Sequence, residues 1–482
     1  MPNSIAYLAL IAWPLVAIAL YVTRPVVQAT LWTVLGAQLL LPVGTFFKIE
    51  MIPQFDKESI PNLCALFCCI FVAGKAVKPF RKLGSVEILI AMSLVGPVIT
   101  SMLNTDAIVV GGTVLPGVGV YDGLSAGVSQ FLILIPFFLG RQFLFKPSDL
   151  QSVFSTLVIA GVGYSVLLLF EIRMSPQLHF WLYGYYPSDF IQEMRADGAF
   201  RPMAFMGHGL VAGFFMMTTV VASAVLWRAK TSVFRAVPPG AVTGYLAVVL
   251  VLCKSGAALV YGAALVPLVR WIKPRLQLKF AIVLAAIALT YPLMRIAKVF
   301  PTDRIAAIAM SINDQRGSSL KFRFDQEETL LEHASQRFLF GWGRYGRNRV
   351  FVEDWQGVGV DASVTDGRWI ITLGQFGLFG FVAEFGLLAI AVFRAFTAAR
   401  FAETSRDARS LSALALIVAV NLIELLPNST LLPWTWLLAG TLLGRSEAMT
   451  VTARKVRKNT NVVIGAKSLM PKTDANTGLQ KR

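Results

Sequence analysis

Long apolar stretches, separated by short charged or turn-forming segments, follow one another through most of the 482-residue chain. Because one bilayer crossing takes about 20 apolar residues in a helix, these stretches predict membrane-spanning helices. We expect an all-α, polytopic integral membrane protein with about 12–13 transmembrane helices. The runs 237–253 and 255–272 form separate crossings only if the chain turns tightly at Lys254. The thirteen runs cover residues 5–22, 29–47, 60–74, 85–103, 123–140, 150–170, 207–227, 237–253, 255–272, 278–294, 367–393, 410–426 and 430–444.

The composition excludes a water-soluble globular protein. Hydrophobic residues make up 56% of the chain and charged residues 15%, with a mean hydropathy of +0.64. Soluble domains have about 45–50% apolar and about 25% charged residues. No length remains for a large soluble domain. The first run, from Ser4 to Val22, lacks a basic start and a cleavage site, which favours a spanning helix over a removed signal peptide.

The distribution of basic residues predicts the orientation. The net charge of +17 would suggest nucleic acid as a partner of a soluble protein, but membrane proteins concentrate Lys and Arg on the cytoplasmic side. Most basic residues fall on one set of alternate connections, so we expect an outer N-terminus and a cytoplasmic C-terminus. The predicted regions are N-terminal transmembrane helices (1–170), a periplasmic loop (171–206), further transmembrane helices (207–294), a long, partly helical periplasmic loop (295–366), C-terminal transmembrane helices (367–444) and a disordered cytoplasmic tail (445–482).

The long outer loop departs from this charge rule, because with its flanks it carries eleven basic residues, nine of them Arg. Arg forms bidentate contacts with phosphate oxygens and stays charged, which suits a lipid-borne diphosphate. Contact with lipid headgroups is the open alternative, since ten acidic residues nearly cancel the charge. The nine are Arg295, Arg304, Arg316, Arg323, Arg337, Arg344, Arg347, Arg349 and Arg368.

Several short segments occur in a recognisable order between residues 200 and 445. Their sequences are Arg201-Pro202-Met203-Ala204-Phe205-Met206-Gly207-His208, Lys254-Ser255-Gly256-Ala257, Ser318-Ser319-Leu320-Lys321-Phe322-Arg323, Phe338-Leu339-Phe340-Gly341-Trp342-Gly343-Arg344-Tyr345-Gly346, Asp366-Gly367-Arg368-Trp369 and Gly374-Gln375-Phe376-Gly377-Leu378-Phe379-Gly380. Together they resemble the O-antigen ligase and polymerase superfamily. In that family an Arg opens an amphipathic loop helix, a glycine-rich turn follows, and a polar pair heads a helix with a glycine break.

The resemblance implies an all-helical fold similar to the C-type glycosyltransferases, in the inner membrane of a Gram-negative bacterium. It implies transfer of glycan from an undecaprenyl-diphosphate-linked donor to a glycan acceptor at the periplasmic face. The reaction is thought to need no metal and no cofactor, and the sequence has no D-x-D cluster. The implied partners are the donor, the acceptor, the lipid bilayer, and flippase and chain-length regulator proteins, with no nucleic acid.

The resemblance also implies site residues. Arg201 and Arg323 match the family's two loop arginines and are assigned to the diphosphate, with Arg344 as a third candidate. The family commonly has His-Asn where this chain has Asp366-Gly367. A carboxylate can also accept a hydroxyl proton, so Asp366 is the candidate base. Asp366 as a helix N-cap is the alternative.

Other polar positions have two interpretations each. Gly341 and Gly343 allow backbone N–H groups to approach an anion, or they serve a chain reversal. His208 contacts substrate, or it caps or packs a helix. Lys254 and Ser255 reach the phosphate, or the lysine extends along the apolar surface to the interface.

Two carboxylates, Glu384 and Glu424, lie inside apolar runs, where ionisable residues are expensive and usually functional. Each is explained equally by a buried basic partner or by neutrality, and both are left outside the predicted site. The leading hypothesis is a polymerase of lipid-linked repeat units. The alternatives are an O-antigen ligase that transfers glycan to lipid A core, and a transporter or flippase for lipid-linked oligosaccharide. Against a carrier, the polar residues gather in one long loop and not at the midplane.

Overall fold

The computed structural model describes residues 1–49, 53–80, 83–195, 198–312 and 314–468. This part of the chain is mostly helical. Its α-helices are α1 (Ser4–Thr23), α2 (Val26–Leu40), α3 (Ser59–Phe67), α4 (Ser85–Met102), α5 (Val120–Phe143), α6 (Pro147–Met174), α7 (Leu178–Tyr183), α8 (Gly209–Arg228), α9 (Pro239–Leu252), α10 (Gly256–Trp271), α11 (Pro274–Ile296), α12 (Thr302–Ile312), α13 (Asp314–Ser335), α14 (Arg368–Ala398), α15 (Ser405–Glu424) and α16 (Pro433–Ser468).

Three antiparallel hairpins depart from the all-α prediction. Each has two strands of two or three residues, which is too little to form a sheet layer. The paired strands are β1 (Phe46–Phe47) with β2 (Phe55–Asp56), β3 (Ile108–Val110) with β4 (Thr113–Leu115), and β5 (Phe351–Glu353) with β6 (Gly359–Asp361). A π-helix at Cys68–Val72 extends α3, and 3-10 helices occupy Phe190–Glu193 and Ala399–Phe401.

Each of the thirteen predicted apolar runs overlaps one helix. Among the described residues, seven helices are long and apolar enough to cross a membrane by length and composition, which agrees with a membrane protein. Four shorter apolar helices accompany them, at Val26–Leu40, Ser59–Val72, Pro239–Leu252 and Gly256–Trp271. The seven long helices are Ser4–Thr23, Ser85–Met102, Val120–Phe143, Pro147–Met174, Gly209–Arg228, Pro274–Ile296 and Arg368–Phe401.

Local sequence explains where several helices begin. Pro147, Pro239 and Pro274 each occupy the first position of a helix, where the missing N–H costs nothing. The tight turn expected between α9 and α10 is present: Lys254 has a φ of 53°, and Ser255 is the N-cap of α10. The positive φ of Lys254 is unfavourable for most residues that carry a side chain.

Glycines allow α5 and α16 to lie side by side. A Cβ at Gly140 would lie 2.4 Å from the Leu437 carbonyl oxygen, and one at Gly440 would lie 2.1 Å from that of Phe137. Such close backbone approach is the usual role of small residues between membrane helices. The centre of the bundle is formed by α8, α14, α15 and α16.

The long connections meet at one end of the bundle, which we call the loop end. It contains the described residues of the segments 41–58, 103–119, 175–208, 297–367 and 425–432. Several hydrogen bonds join these connections to one another. The buried Lys57 ammonium donates to the Phe205 carbonyl at 2.6 Å, and Arg337 donates to Asp106 at 2.8 Å. The connections that follow α1, α5, α8, α10 and α14 lie at the opposite end, and the tight turn at Lys254 lies at the loop end.

The last helix continues past the point where the sequence predicted disorder. Helix α16 extends to Ser468, and Arg445, the predicted start of the tail, is buried and ion-paired with Asp407 at 2.6 Å. The prediction of a disordered tail is therefore wrong at its beginning, because a buried ion pair fixes this part of the chain. Residues 469–482 lie outside the described residues.

Candidate functional site

A polar cavity of about 450 Å³ opens at the loop end between α8, α13 and α15. Its lining comes from the start of α8, the loop helix α13 with the segment before α14, and the end of α15 with residues 425–432, together with one residue before α8 and one at the start of α16. The predicted site residues His208, Arg323 and Asp366 are all on its wall. Its other polar lining residues are Gln192, Ser319, Asn421, Glu424, Asn428, Ser429, Thr430 and Thr435.

Arg323 and Asp366 form an ion pair in this cavity. The Arg323 Nε lies 3.1 Å from the Asp366 Oδ2, and about a third of each side chain is exposed (32% and 40%). One terminal nitrogen of Arg323 also lies 3.5 Å from the Pro427 carbonyl oxygen. The exposed remainder of the guanidinium leaves donors available to a ligand in the cavity.

The position of Arg323 follows from how α13 is attached to the bundle. The resemblance implied that this Arg opens a loop helix, but α13 begins earlier, at Asp314. One turn after Arg323, the buried Glu327 accepts hydrogen bonds from the Tyr291 hydroxyl at 2.9 Å and the Trp369 indole at 3.2 Å. Glu327 thereby ties α13 to α11 and α14, which holds Arg323 over the cavity.

Asp366 does not cap α14. The N-cap is Gly367, which makes no side-chain cap hydrogen bond. The Arg368 N–H instead donates to the carbonyls of Leu425 and Asn428, at 2.9 and 3.1 Å. The carboxylate of Asp366 is directed to Arg323, so the capping alternative left open by the sequence is not the arrangement observed.

Arg201 lies behind the cavity wall. It is 8% exposed, and one of its terminal nitrogens lies 3.6 Å from Oε2 of the fully buried Glu193. A Cβ at Gly209 would lie 2.2 Å from the Arg201 Cδ, so the arginine packs directly against the start of α8. Arg201 does not line the cavity. It contacts Glu193, which in turn contacts the lining residue His208.

His208 both caps α8 and lines the cavity. Its Nδ1 accepts the Leu210 N–H at 3.0 Å, which places the ring proton of the neutral form on Nε2. Its Nδ1 also lies 3.3 Å from Glu193 Oε1, which accepts the Gly209 N–H at 2.9 Å. Burial raises the pKa of the Glu193 carboxyl, although His208 and Gly209 oppose the shift. Both interpretations of His208 are therefore compatible with its position.

Glu424 is the residue that sequence reasoning left outside the site. One of its carboxylate oxygens accepts a hydrogen bond from the Asn428 amide at 2.7 Å. The other is buried near the Tyr261 hydroxyl and makes no hydrogen bond of normal geometry to a described residue. The available signal was a carboxylate near the end of an apolar run. Glu384, the other carboxylate inside an apolar run, is instead paired with Arg368 through two hydrogen bonds of 2.7 and 2.6 Å.

The glycine turn is a structural element. Gly341 and Gly343 have φ values of 71° and 90°, as the chain-reversal interpretation requires. The N–H groups of Gly341, Trp342 and Gly343 donate to the carbonyls of Arg337, Gly374 and Gln375 at 2.7, 2.8 and 2.9 Å. Because these donors are already used, they are not available to an anion.

The remaining predicted residues lie elsewhere. Arg344 donates to Ser129 at 3.4 Å and lines a second cavity of about 460 Å³, together with Glu58. Burial raises the pKa of the Glu58 carboxyl to about 7. Ser255 is buried against Gly213 of α8. Neither Ser255 nor Lys254 lines the cavity that holds Arg323.

Most arginines of the long loop have protein partners. Arg347 is 1% exposed and donates to the carbonyls of Trp342, Asp106 and Pro116. Arg349 pairs with Asp361 near the hairpin β5–β6. Most of the arginines that suggested phosphate binding therefore fasten the loop. Among the loop arginines whose side chains the structure describes, Arg323 is the one that lines this cavity.

The fold and the site together define a mostly helical, apolar bundle with a polar, arginine-containing cavity at one end. Neither a protein-family model nor a curated protein matches this chain.

Proposed function

We propose that this chain is a membrane glycosyltransferase that polymerises undecaprenyl-diphosphate-linked oligosaccharide repeat units into a surface polysaccharide. The observation that carries the proposal is the Arg323–Asp366 pair at the wall of a polar cavity, beside His208 and Glu424. Arg323, Asp366 and His208 are also positions that the resemblance to the O-antigen ligase and polymerase superfamily selects. A cation next to a carboxylate suits a reaction with a diphosphate leaving group and a hydroxyl nucleophile.

In the proposed reaction, the acceptor hydroxyl oxygen attacks the anomeric carbon of the donor sugar. The new carbon–oxygen bond replaces the bond to the diphosphate, which leaves with its electron pair. Arg323 stabilises the charge that develops on the diphosphate oxygens. The Asp366 carboxylate accepts the hydroxyl proton, and it is held at Arg323 until substrate competes for the guanidinium.

Arg201 has a positioning role in this proposal. Its contact with Glu193 fixes the carboxylate that meets His208 and the first N–H of α8. The Leu210 N–H donates to Nδ1 of His208 and holds the ring at the cavity, with its Nε2 proton available to a sugar hydroxyl. The diphosphate contact implied for Arg201 by the resemblance would require the side chain to leave this buried position.

The proposed setting is a bacterial inner membrane, with the loop end and its cavity in the periplasm and the C-terminus in the cytoplasm. The excess of Lys and Arg on the opposite set of connections supports this orientation. Carriers bind near the bilayer midplane, whereas this cavity is built from connections at the end of the bundle. Transfer to lipid A core remains the same chemistry with a different acceptor.

The test is elongation by the purified full-length protein in liposomes supplied with undecaprenyl-diphosphate-linked repeat units. Products longer than one repeat are expected without ATP. Arg323→Ala should lower the rate on the order of 10²–10³-fold, as the loss of a charge-stabilising donor does in other enzymes. Arg323→Lys should recover little, because a point charge cannot reproduce the fork geometry.

The matched control is Arg349→Ala, which removes another Arg–Asp pair of the same loop away from the cavity. It should elongate at nearly the rate of the unsubstituted protein. If the unsubstituted protein elongates no chain, the proposed function is wrong. If Arg323→Ala elongates as fast as Arg349→Ala, the proposed site is wrong. Labelled substrate that crosses the bilayer unelongated would favour a carrier.

A further inference from the structure

A second polar region lies at the end of the bundle opposite the loop end. It is a groove of about 800 Å³ between the start of α2 and the start of α6. It shares no lining residue with the cavity of the proposed function. We call it the α2–α6 groove; its polar lining includes Arg24, Gln28, Gln151 and Ser155.

One face of α6 supplies the polar wall. Gln151 and Ser152 each lie three or four residues from Ser148 and from Ser155, so the four share a helix face. Across the groove, Arg24 lies at the end of α1 and Gln28 in the first turn of α2. A polar face at the end of a membrane bundle suits a polar occupant, because polar groups are costly among lipid tails.

Several of these side chains make no hydrogen bond within the described part of the chain. For Gln28, Gln151 and Ser155, no side-chain hydrogen bond to another described residue is present, which leaves amide and hydroxyl donors available. Arg24 is the single charged residue among those lining the groove, and it has no ion pair with a described carboxylate. The nearby Asp149 accepts the Lys146 N–H at 2.8 Å as a helix cap. The groove therefore offers one positive charge surrounded by neutral donors, which suits an anion.

An apolar track continues from the groove along the same helix. Ile159 lines the groove, and Val166 and Phe170 follow on α6 toward the loop end with 64% and 38% of their surface exposed. Leu20 and Trp32 line the other side of the groove. A ligand with an anionic head and a long apolar chain would fit both parts, whereas free phosphate would use only the head.

We propose that the α2–α6 groove binds the phosphodiester headgroup of an anionic phospholipid. Arg24 pairs with the phosphate oxygens, Gln28, Gln151 and Ser155 donate to phosphate and glycerol oxygens, and one acyl chain lies along Ile159 toward Val166. This inference does not depend on the proposed enzymatic activity.

The experiment is native mass spectrometry of the full-length protein, stripped of lipid and then titrated with dioleoyl phosphatidylglycerol or dioleoyl phosphatidylcholine. A preferential phosphatidylglycerol adduct is expected. Arg24→Gln should weaken it by about tenfold, as expected for one charge-assisted contact. Ser155→Phe should weaken it similarly by filling the groove without changing the charge.

The control is Arg275→Ala, which removes an exposed charge at the same end of the bundle, in the first turn of α11. It should retain the adduct. Equal binding of the two lipids, or an unchanged adduct in both Arg24→Gln and Ser155→Phe, would overturn the proposal. Displacement of the lipid by an equal concentration of inorganic phosphate would identify a free-phosphate site and equally overturn it.

Discussion

The break of α14 at Gly377 gives a sharp test of the structure. Gly377 has a φ of 66° and a ψ of −166° inside a 31-residue helix, a combination that is essentially restricted to glycine. A Cβ there would lie 2.3 Å from the Leu339 carbonyl carbon and 2.4 Å from the Phe340 nitrogen. The substitution Gly377→Ala is therefore expected to disrupt the contact between α14 and the glycine turn.

An independent contact requires the same break. Arg368 and Glu384 are 16 residues apart in α14 and are joined by a bidentate ion pair. In a continuous helix their backbones would be separated by about 24 Å, which is farther than the two side chains together can span. The helix must therefore depart from a straight course between them, and Gly377 lies in that interval.

The magnitude follows from the bonds around the break. The backbone strain costs about 1–3 kcal/mol, and each hydrogen bond lost contributes about 1 kcal/mol. If two of the four bonds at the break are lost, the expected destabilisation is about 3–5 kcal/mol. The four bonds join the N–H of Leu378 to Phe338, Phe379 to Leu339, Trp342 to Gly374 and Gly343 to Gln375, at 2.7, 3.1, 2.8 and 2.9 Å.

Thermal unfolding of the purified protein in detergent measures the effect. The unfolding temperature of Gly377→Ala should fall by about 5 °C or more. The matched control is Gly244→Ala in α9, where a Cβ would meet nothing within 4 Å. That substitution should leave the temperature unchanged or raise it slightly, because Ala is the better helix former. Equal unfolding temperatures for the two variants would refute the strained break.

Three further predictions concern residues around the site. Arg347→Lys should lower the unfolding temperature in the same assay, since one ammonium cannot replace a guanidinium that donates to three carbonyls; an unchanged temperature would contradict this. Glu424→Gln should keep the hydrogen bond from Asn428 yet slow chain elongation, and an elongation rate equal to that of the unsubstituted protein would exclude a role for the charge. Burial lowers the pKa of Lys57 from 10.5 to about 7, so between these values the unfolded chain binds the extra proton and stability rises with pH. Lys57→Met should therefore remove part of the rise in unfolding temperature between pH 7 and pH 9; identical pH profiles would show that this lysine does not titrate as stated.

Local patterns in the sequence were sufficient to predict the apolar helices. Apolar runs located thirteen of the helices in the described residues but not α7, α12 or α13, which lie in the predicted loops. The short polar interval at Lys254 identified a real turn between α9 and α10. The pattern did not reveal the end of α16, because the residues after Arg445 are polar in composition while Arg445 itself is held by a partner 38 positions away. Disorder estimated from composition cannot include such a contact.

The site was predictable only in part, for the same reason. Residue type and order singled out Arg323, Asp366 and His208, which line one cavity. Arginine content alone did not distinguish Arg323 from Arg347, whose guanidinium donates to three backbone carbonyls, and segment order also selected Arg344, which lines a different cavity. Whether an arginine binds a ligand or the protein depends on acceptors from distant segments, and a single sequence does not record those distances.

The cavity unites three segments that are held by different anchors. Lys57 holds the carbonyl of Phe205 before α8, Glu327 fastens α13, and the N–H of Arg368 bonds the turn after α15. None of these anchors lines the cavity, so the two side-chain anchors, Lys57 and Glu327, can be substituted without removing a candidate reactive group. If Arg201 acts through Glu193, substitution of Arg201 should have the same effect as substitution of Lys57 or Glu327, namely a higher KM and a shifted pH profile of the elongation rate. If Arg201 instead reaches the diphosphate, its variant should resemble Arg323→Ala, with a lower maximal rate. The pattern of kinetic change therefore separates the arrangement in this structure from the one that the resemblance implied.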